Sequence, residues 1–344
     1  MAPDIDPTPA SAGFSMPPEW SPHAACLMAW PARHDLWGGR LEEAKDDYAA
    51  VARAILGFEP VLMVCPPGHA REVRDRCGAA VEILELPIND SWARDSGPIF
   101  VRDAAGTVAA VKFGFNAWGD RWLPYDDDAR LPERVAGHLG MRLFRAPLVL
   151  EGGSILVDGD GTLYTTEQCL LNPNRNPGMT RAEIEQGLKD FLGVRTVIWL
   201  PVGHSLDVGP AGTDGHIDGV AQVLGPGRIL LEAPEDPSAS EYEPGQANLA
   251  RLHASRDARG RSPEITVLDP GPDAHVSYAN HYIANAGVVV PTSGDETDAP
   301  VLAFLASVYP GREIVGVPGL TLAFGGGGPH CITQQIPAGA VAPP

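Results

Sequence analysis

Four short polar segments combine residue types that can act chemically on a cationic substrate. They lie in connections rich in Gly, Pro and Asn, where functional sites commonly occur. Together they supply a cysteine, histidines and several carboxylates, the groups used in nucleophilic and acid–base catalysis. The segments are NDSWARDSGP (89–98), EGG (151–153), TDGHIDG (213–219) and GGGGPHC (325–331).

Cys331 is the cysteine best placed to react. It ends the glycine-rich segment, which exposes backbone and leaves room for a ligand. A free thiol is mostly protonated at neutral pH, and a cation beside the sulfur would lower its pKa. The other four cysteines, Cys26, Cys65, Cys77 and Cys169, are expected to be structural. Because the chain has no CxxC pair and no matching His spacing, no metal site is predicted.

Two aspartates are suited to binding a planar cation. Asp95 and Asp218 could each accept paired N–H···O bonds from one edge of a guanidinium group. His216 and Asp218 lie two positions apart, so in an extended segment both side chains would face one pocket. His216 could then protonate a leaving amine and later activate water. This set of residues is typical of guanidine hydrolysis.

Each segment also has a structural explanation. Arg94 and Asp95 could form an ion pair, and Glu151 could accept hydrogen bonds from turn amides. A lone histidine in a loop, such as His216, is more often structural than catalytic. His330 would point away from Cys331 on an extended strand. The catalytic hypothesis therefore depends on the combination of segments and not on any one of them.

Composition favours a small cationic ligand over other partners. The chain has 344 residues, with 25 Lys and Arg against 44 Asp and Glu, which gives a net charge of −19. This charge would repel nucleic acid and anionic membranes and attract cations. No apolar run is long enough to span a bilayer. The N-terminal MAPDIDPTPASAG lacks the features of a signal peptide, so a cytoplasmic protein is expected.

The elements that must position these residues follow a mixed α/β pattern. Pairs of predicted strands alternate with single helices, and no long linker divides residues 16–337, so one catalytic domain is expected between flexible tails at 1–15 and 338–344. Predicted helices cover 41–55, 69–77, 127–139, 181–192 with a Thr180–Glu183 capping box, 242–254 and 298–308. Predicted strands cover 61–65, 81–86, 107–112, 194–200, 217–224, 228–232, 282–290 and 313–317.

Eight sequence blocks over roughly residues 16–337 resemble the agmatine deiminases and the related bacterial peptidylarginine deiminases of the guanidine-modifying pentein superfamily. The resemblance implies a five-bladed α/β propeller (the pentein fold) of ββαβ-type modules around a central active site, and a homodimer. The blocks are MPPEWSPHAACLMAWP, WARDSGP, FNAWG, LEGGS, TTEQCLLNPNRNP, TDGHID, NHYIANAGVVVP and HCITQQIP.

The resemblance also implies an activity, that of a C–N hydrolase acting on a linear amidine. A covalent thiouronium intermediate would form and then hydrolyse to a ureido product and ammonia, with no metal or organic cofactor. For agmatine the product would be N-carbamoylputrescine. The residues that match the family's site are Cys331 as nucleophile, His216 as general acid and base, Asp95 and Asp218 as guanidinium-binding carboxylates, Glu151 as a further acid, Trp92 beside the guanidinium, and Trp118 without an assigned role.

Departures from the family pattern surround these positions. Gly328 and Gly219 stand where the family has asparagines, and the segment 204–212 is longer and less acidic than its counterpart. The physiological guanidine, the pathway and the oligomeric state therefore stay open. Alternatives are a deiminase of another alkylguanidine or of peptidyl-arginine, an amidinotransferase, and a non-catalytic protein that binds guanidines or polyamines.

Overall fold

The computed structural model describes residues 7–209, 212–271 and 274–344. The strands are β1 (Phe14–Ser15), β2 (His23–Ala29), β3 (Val61–Cys65), β4 (Glu82–Glu85), β5 (Ile99–Asp103), β6 (Thr107–Gly114), β7 (Leu143–Val149), β8 (Ile155–Val157), β9 (Thr162–Thr166), β10 (Thr196–Leu200), β11 (Ala221–Gly225), β12 (Arg228–Glu232), β13 (Glu264–Leu268), β14 (Tyr282–Ile283), β15 (Gly287–Thr292), β16 (Glu313–Pro318), β17 (Thr333–Pro337) and β18 (Ala340–Val341). The helices are α1 (His34–Trp37), α2 (Leu41–Leu56), α3 (Ala70–Cys77), α4 (Ala93–Ser96), α5 (Ala117–Asp120), α6 (Leu131–His138), α7 (Glu167–Leu170), α8 (Arg181–Leu192), α9 (Tyr242–Ala254), α10 (Asp298–Val308) and α11 (Leu320–Phe324).

The strands form five small sheets built on one repeated plan. In each sheet an antiparallel pair is followed, through a helix, by a strand parallel to the second member of the pair. A crossover of this kind is what a parallel neighbour requires. The five modules are β17-β2-α2-β3, β5-β6-α6-β7, β8-β9-α8-β10, β11-β12-α9-β13 and β14-β15-α10-β16. The expected five-bladed α/β propeller of ββαβ modules is confirmed.

The two ends of the chain meet in one sheet. Strand β17, near the C-terminus, pairs antiparallel with β2, near the N-terminus, from Thr333 opposite Met28 to Pro337 opposite His23. This pairing completes the first module with a strand from the far end of the sequence. Strand β17 therefore closes the ring of modules, because it joins the C-terminal part of the chain to the first module.

Local sequence signals account for the helices. The predicted apolar face of α2 is buried, including Tyr48, Val51 and Ile55, each with no exposed surface. Helix α8 begins at the predicted capping box, in which Thr180 accepts from the Glu183 amide and the Glu183 carboxylate accepts from the Thr180 amide. Both helices pack an apolar face on a sheet, as the amphipathic pattern requires.

Four stretches differ from the sequence prediction, and the first is the expected N-terminal tail 1–15, in which β1 pairs with β5 and Phe14 is buried. Residues 217–219 form a 3-10 turn, and the strand predicted over 217–224 begins at Ala221. The apolar run 282–290 is divided into β14 and β15, because the chain turns between Ile283 and Gly287. Within the expected C-terminal tail, β18 pairs with β6 and Ala342 is buried. No helix in the described part of the chain is long and apolar enough to cross a membrane.

Candidate active site

Each of the five modules contributes a polar side chain just before its first strand. The chain therefore delivers these residues to one place, although they lie far apart in sequence. Five were predicted from the sequence, and Asn280 was not. In chain order they are Asp95 before β5, Glu151 before β8, His216 and Asp218 before β11, Asn280 before β14 and Cys331 before β17.

Cys331 lies at the centre of this group and is only 5% exposed. Its Sγ lies 3.5 Å from Asp218 Oδ2 and 3.1 Å from Asn280 Nδ2. The Asn280 side chain is fixed from both ends, because Oδ1 accepts from the His330 amide at 3.2 Å and Nδ2 also donates to the Asp218 carbonyl at 3.2 Å. Asn280 thus offers an amide donor to the sulfur, which would stabilise a thiolate.

His216 lies between three carboxylates. Its Nδ1 is 3.9 Å from Asp95 Oδ1 and 4.0 Å from Asp218 Oδ1, while Nε2 is 3.8 Å from Glu151 Oε2. All four side chains are buried. Neither ring nitrogen has a hydrogen-bond partner among the described residues. The ring can therefore exchange protons with a substrate without first breaking a bond to the protein.

The backbone of Gly153, in the EGG segment, packs directly against the side chains of this cluster. A Cβ at Gly153 would lie only 2.7 Å from His216 Nδ1, 2.8 Å from Asp218 Oδ2 and 2.9 Å from Asp95 Oδ1. Its amide also donates to Asp95 Oδ1 at 2.9 Å. A side chain at this position would push the functional groups apart, so the close approach of the backbone requires glycine.

Charges and burial set the protonation states. Burial raises the pKa of the Cys331 thiol well above its usual value, and the nearby Asp218 and Asp95 carboxylates raise it further. Burial opposes the charged form of His216, but Asp95, Cys169 and Glu151 together raise its pKa. The free site therefore favours a neutral thiol and an imidazolium. A cation bound between the carboxylates would lower the pKa of the thiol.

A chain of buried ion pairs supports Asp218 from behind. His330 Nδ1 lies 2.8 Å from Asp218 Oδ2, and His330 Nε2 lies 2.8 Å from Glu19 Oε1. Arg94 then donates to Glu19 at 3.1 Å and to the His330 carbonyl at 3.2 Å. The ion-pair alternative for Arg94 is thus corrected, since its carboxylate partner is Glu19 and not Asp95. His330 belongs to the site through Asp218.

Glu151 is held by Arg175, another residue that sequence reasoning missed. Arg175 Nε donates to Glu151 Oε1 at 2.6 Å, and Arg175 Nη1 donates to Asp214 Oδ2 at 2.9 Å. Burial opposes the charged form of Glu151, but Arg175 and His216 lower its pKa. The alternative that its side chain accepts from turn amides is wrong, because Oε1 accepts from Arg175 and Oε2 has no hydrogen-bond partner among the described residues.

The two tryptophans lie on the Asp95 side of the site. Trp118 Nε1 donates to Asp95 Oδ2 at 2.9 Å, which gives this residue a contact that the sequence did not suggest. Trp92 is buried and stacks on Trp37 with ring centroids 5.8 Å apart. Trp92, Asp95, Trp118 and Cys331 line one small cavity. The aromatic rings thus form a wall beside the carboxylate and the sulfur.

In the described part of the chain, one group of side chains lies close enough together to coordinate a metal ion. Ligand atoms of Glu151, Cys169 and His216 lie within 4.8 Å of one another. Cys169, expected to be merely structural, therefore borders the site. The Arg175 guanidinium already pairs with Glu151 and carries a positive charge into this group. A further cation would be repelled there, so this set is a poor metal site.

Comparisons with known proteins agree with this geometry. The model of the Porphyromonas-type peptidyl-arginine deiminase family matches residues 15–337. A putative agmatine deiminase of Legionella pneumophila is 40% identical, over 97% of this chain and 98% of that protein. An agmatine deiminase of Pseudomonas aeruginosa is also 40% identical, over 96% of this chain and 97% of that protein. The solved agmatine deiminase of Enterococcus faecalis has a TM-score of 0.90 at 34% identity, over 97% of this chain and 98% of that one.

Proposed function

The chain belongs to the Porphyromonas-type peptidyl-arginine deiminase family, and on this premise we propose that it is an agmatine deiminase, which hydrolyses agmatine to N-carbamoylputrescine and ammonia. The observation that carries the proposal is the meeting of a cysteine, a histidine and three carboxylates in one buried site. Relatives that carry this name match the chain over nearly its whole length.

Substrate binding uses Asp95 and Asp218. Each carboxylate accepts hydrogen bonds from one edge of the guanidinium, as planar guanidinium groups favour. Because Asp218 Oδ2 lies 3.5 Å from Sγ, the guanidine carbon is held beside the sulfur. The bound cation offsets the negative charges that raise the pKa of the Cys331 thiol. The thiol then loses its proton to solvent, so the substrate itself helps to form the nucleophile.

The chemistry proceeds in two stages. The Cys331 thiolate attacks the guanidine carbon, and the His216 imidazolium protonates the departing ammonia, which leaves a covalent thiouronium. The imidazole, now neutral, takes a proton from water as the water oxygen attacks the same carbon. The carbon–sulfur bond then breaks and the hydroxyl proton passes to solvent, which releases the ureido product and the thiolate, with His216 again an imidazolium. The Glu151 carboxylate, 3.8 Å from His216 Nε2, stabilises the imidazolium by its charge, and no metal or organic cofactor is part of the proposal.

The lining of the cavity favours an amine tail over a carboxylate tail. The cavity that holds Cys331 and Asp218 is also lined by Asp207, His204 and His275, and none of its described lining residues is Arg or Lys. The nearby Arg94 and Arg175 are committed to Glu19 and Glu151. Free arginine and peptidyl-arginine with a free C-terminus would therefore lack an arginine or lysine partner for their carboxylate.

A panel of guanidines tests the proposal. Agmatine, arginine, guanidino-acids, guanidino-amines of other lengths and a peptide with C-terminal arginine are assayed for ureido product and ammonia, with Cys331→Ser as control. We expect agmatine to have the highest kcat/KM and the substitution to abolish turnover. Transfer of the amidino group to an added amine would favour the amidinotransferase. Binding without turnover would favour a non-catalytic protein.

Three further features are proposed, and the homodimer among them comes from the resemblance. They are a single catalytic domain over residues 16–337, a homodimer and a cytoplasmic location. Light scattering on the purified protein tests the dimer, since a monomer mass at micromolar concentration would contradict it. Cell fractionation tests the location. A variant that lacks residues 338–344 tests the domain limits, because β18 pairs with β6 and its loss should lower stability, whereas unchanged stability would end the domain at residue 337.

A further inference from the structure

The glycine at position 328 makes room for the side chain of Asn280. The φ angle of Gly328 lies outside the left-handed region that favours glycine, so its own backbone does not require this residue type. A Cβ at Gly328 would lie 2.6 Å from Asn280 Oδ1, and the next nearest atoms are Cγ and Cβ of the same side chain, at 3.2 and 3.3 Å. It is therefore Asn280 that excludes a side chain at this position. One departure noted in the sequence thus leads to a residue that sequence reasoning missed.

The amide group of Asn280 is held in one orientation. Oδ1 accepts from the Cys331 amide at 3.4 Å as well as from the His330 amide at 3.2 Å, and Nδ2 donates to the Asp218 carbonyl at 3.2 Å. Exchanging the two atoms would turn a donor toward two donors and an acceptor toward an acceptor, so these hydrogen bonds assign the amide. Nδ2 is therefore the nearer atom to Cys331 Sγ, at 3.1 Å, while Oδ1 lies at 3.4 Å.

Two opposing influences act on the charge of the Cys331 sulfur. Burial raises the pKa of the thiol well above its ordinary value, and the carboxylates of Asp218 and Asp95 raise it further. Hydrogen bonds from the Gly328 amide and the Asn280 side chain lower it. Both donors are neutral, and each favours the thiolate because a hydrogen bond to the charged form stabilises that form.

We propose that Asn280 is a catalytic residue whose Nδ2 donates a hydrogen bond to the Cys331 thiolate, and that Gly328 is the glycine which this contact requires. The donor stabilises the sulfur before it attacks the guanidine carbon, and again when the carbon–sulfur bond breaks and the thiolate leaves. Because the amide is neutral, it supports the thiolate without competing with the substrate cation for Asp95 and Asp218. The catalytic part of this inference rests on the proposed function, whereas the contact with the sulfur does not.

Alkylation of the free protein tests the contact without substrate. Protein is treated at about pH 8 with iodoacetamide, which is neutral and reacts with thiolates, and the peptide that contains Cys331 is followed by mass spectrometry. Asn280→Ala should slow alkylation of Cys331 by about three- to tenfold, because the thiolate fraction falls while the remaining thiolate is the stronger nucleophile. The smaller side chain can only widen access to the sulfur, so a slower reaction reports the loss of the donor.

Asn248→Ala is the matched control for that variant. The Asn248 side chain is also buried and also bonds to the main chain, with Nδ2 2.9 Å from the Val202 oxygen, but it does not line the cavity that holds Cys331. This substitution should leave the alkylation of Cys331 unchanged. Far-ultraviolet circular dichroism reports whether both variants are folded.

Gly328→Ala tests the pairing while every other residue of the site is kept. Its Cβ should displace the Asn280 side chain, so alkylation of Cys331 should slow as it does in Asn280→Ala. Each single substitution should lower kcat/KM for agmatine by about tenfold, the factor that corresponds to about 1.4 kcal/mol. In the Asn280→Ala background Gly328→Ala should cost little, because the Oδ1 and Cγ atoms that its Cβ meets are absent. The double variant should therefore be no slower than Asn280→Ala.

The possible failures can be told apart. If Asn280→Ala leaves the alkylation of Cys331 unchanged, or slows it only as much as Asn248→Ala does, this inference alone is overturned. Effects of Asn280→Ala and Gly328→Ala on kcat/KM that multiply in the double variant would also overturn it. If wild-type protein turns over no guanidine, the proposed function is overturned and the catalytic role of Asn280 with it. Slower alkylation in Asn280→Ala would then support the contact with the sulfur alone.

Discussion

The two carboxylates beside Cys331 are supported in opposite ways. Asp218 is bonded to His330 and, through it, to the buried charges of Glu19 and Arg94. Among the described residues, Asp95 is bonded only to neutral donors, Trp118 Nε1 and the amide of Gly153. One aspartate therefore has charged support in the protein, whereas the other depends on the ring of His216 and on the substrate.

The pKa values of the two aspartates shift in opposite directions. Burial opposes the charged form of Asp218, but His330 and His216 lower its pKa. Burial raises the pKa of Asp95, and although His216 opposes the shift, Asp218 and Glu151 add to it. The site is therefore charged in part before substrate arrives, and the substrate completes its charge.

Substitution of Asp218 is expected to have the largest effect on activity and on stability. Asp218→Asn should lower kcat/KM by about 10³-fold, because the loss of one partner of a buried charge pair costs about 4 kcal/mol. It should also lower the free energy of unfolding by about 3 kcal/mol, since His330, Glu19 and Arg94 lose their balancing charge. Steady-state kinetics and urea unfolding measure the two effects.

Asp95→Asn is the matched comparison for that variant. It should impair activity strongly as well, but lower the free energy of unfolding by less than about 1 kcal/mol, because its neutral donors can bond an amide. Equal losses of stability in the two variants would contradict the asymmetry.

His330 is predicted to be a positioning residue that acts through Asp218. His330→Gln should lower kcat/KM by about 10²-fold, in the range found when a buried support of a catalytic group is lost. The pKa of Asp218 should rise, so activity should begin to fall at a higher pH on acidification. Unchanged acid dependence with lower activity would assign His330 a purely structural role.

The pH dependence of wild-type protein tests Asp95. Since the pKa of Asp95 is raised above its ordinary value, Asp95 takes up a proton at a higher pH than a solvent-exposed aspartate. Asp218 remains charged there, because its pKa is lowered. The KM for agmatine should therefore rise as pH falls, by up to about tenfold per pH unit with one proton taken up. A KM that stays constant down to the pH at which a solvent-exposed aspartate takes up its proton would contradict this.

The smallest effect is expected at Trp118. Trp118→Phe removes the donor to Asp95, which should raise the KM for agmatine by about tenfold or less, as a hydrogen bond to a charged group is worth about 1.5 kcal/mol. The acid limb should also move to higher pH. Trp199→Phe is the matched control, because Trp199 is buried and its Nε1 donates at 2.8 Å to Glu185, outside the site. Equal effects of the two substitutions would remove Trp118 from the site.

Much of the fold could be predicted from the sequence, because local residue patterns determine where its helices and strands form. The face of α2 and the capping box of α8 depend on residues three or four positions apart. The spacing of His216 and Asp218 was interpreted as one face of a strand, and this was wrong, because residues 217–219 form a 3-10 turn. Both side chains still reach the site, but they do so from a turn, which their spacing in the sequence does not predict.

The supporting residues could not be predicted, because their contacts join distant parts of the sequence. Glu19 meets His330 across 311 positions, and Asn280 meets Cys331 across 51. Asn280 occupies the same place before a first strand as the predicted residues of the other modules. That repeat is the one signal which could have identified it. Arg175 lies in the NPNRNP block, whose letters give no indication of its contact with Glu151.

The central claim is that Cys331 forms a covalent bond with the guanidine carbon. Protein mixed with agmatine is quenched in acid within milliseconds to seconds, and the intact mass and the peptide containing Cys331 are measured by mass spectrometry. We expect an adduct with the mass of agmatine less ammonia, carried on Cys331 and absent from Cys331→Ser. Full turnover with no adduct at any quench time, or an adduct on another residue such as Cys169, would contradict it.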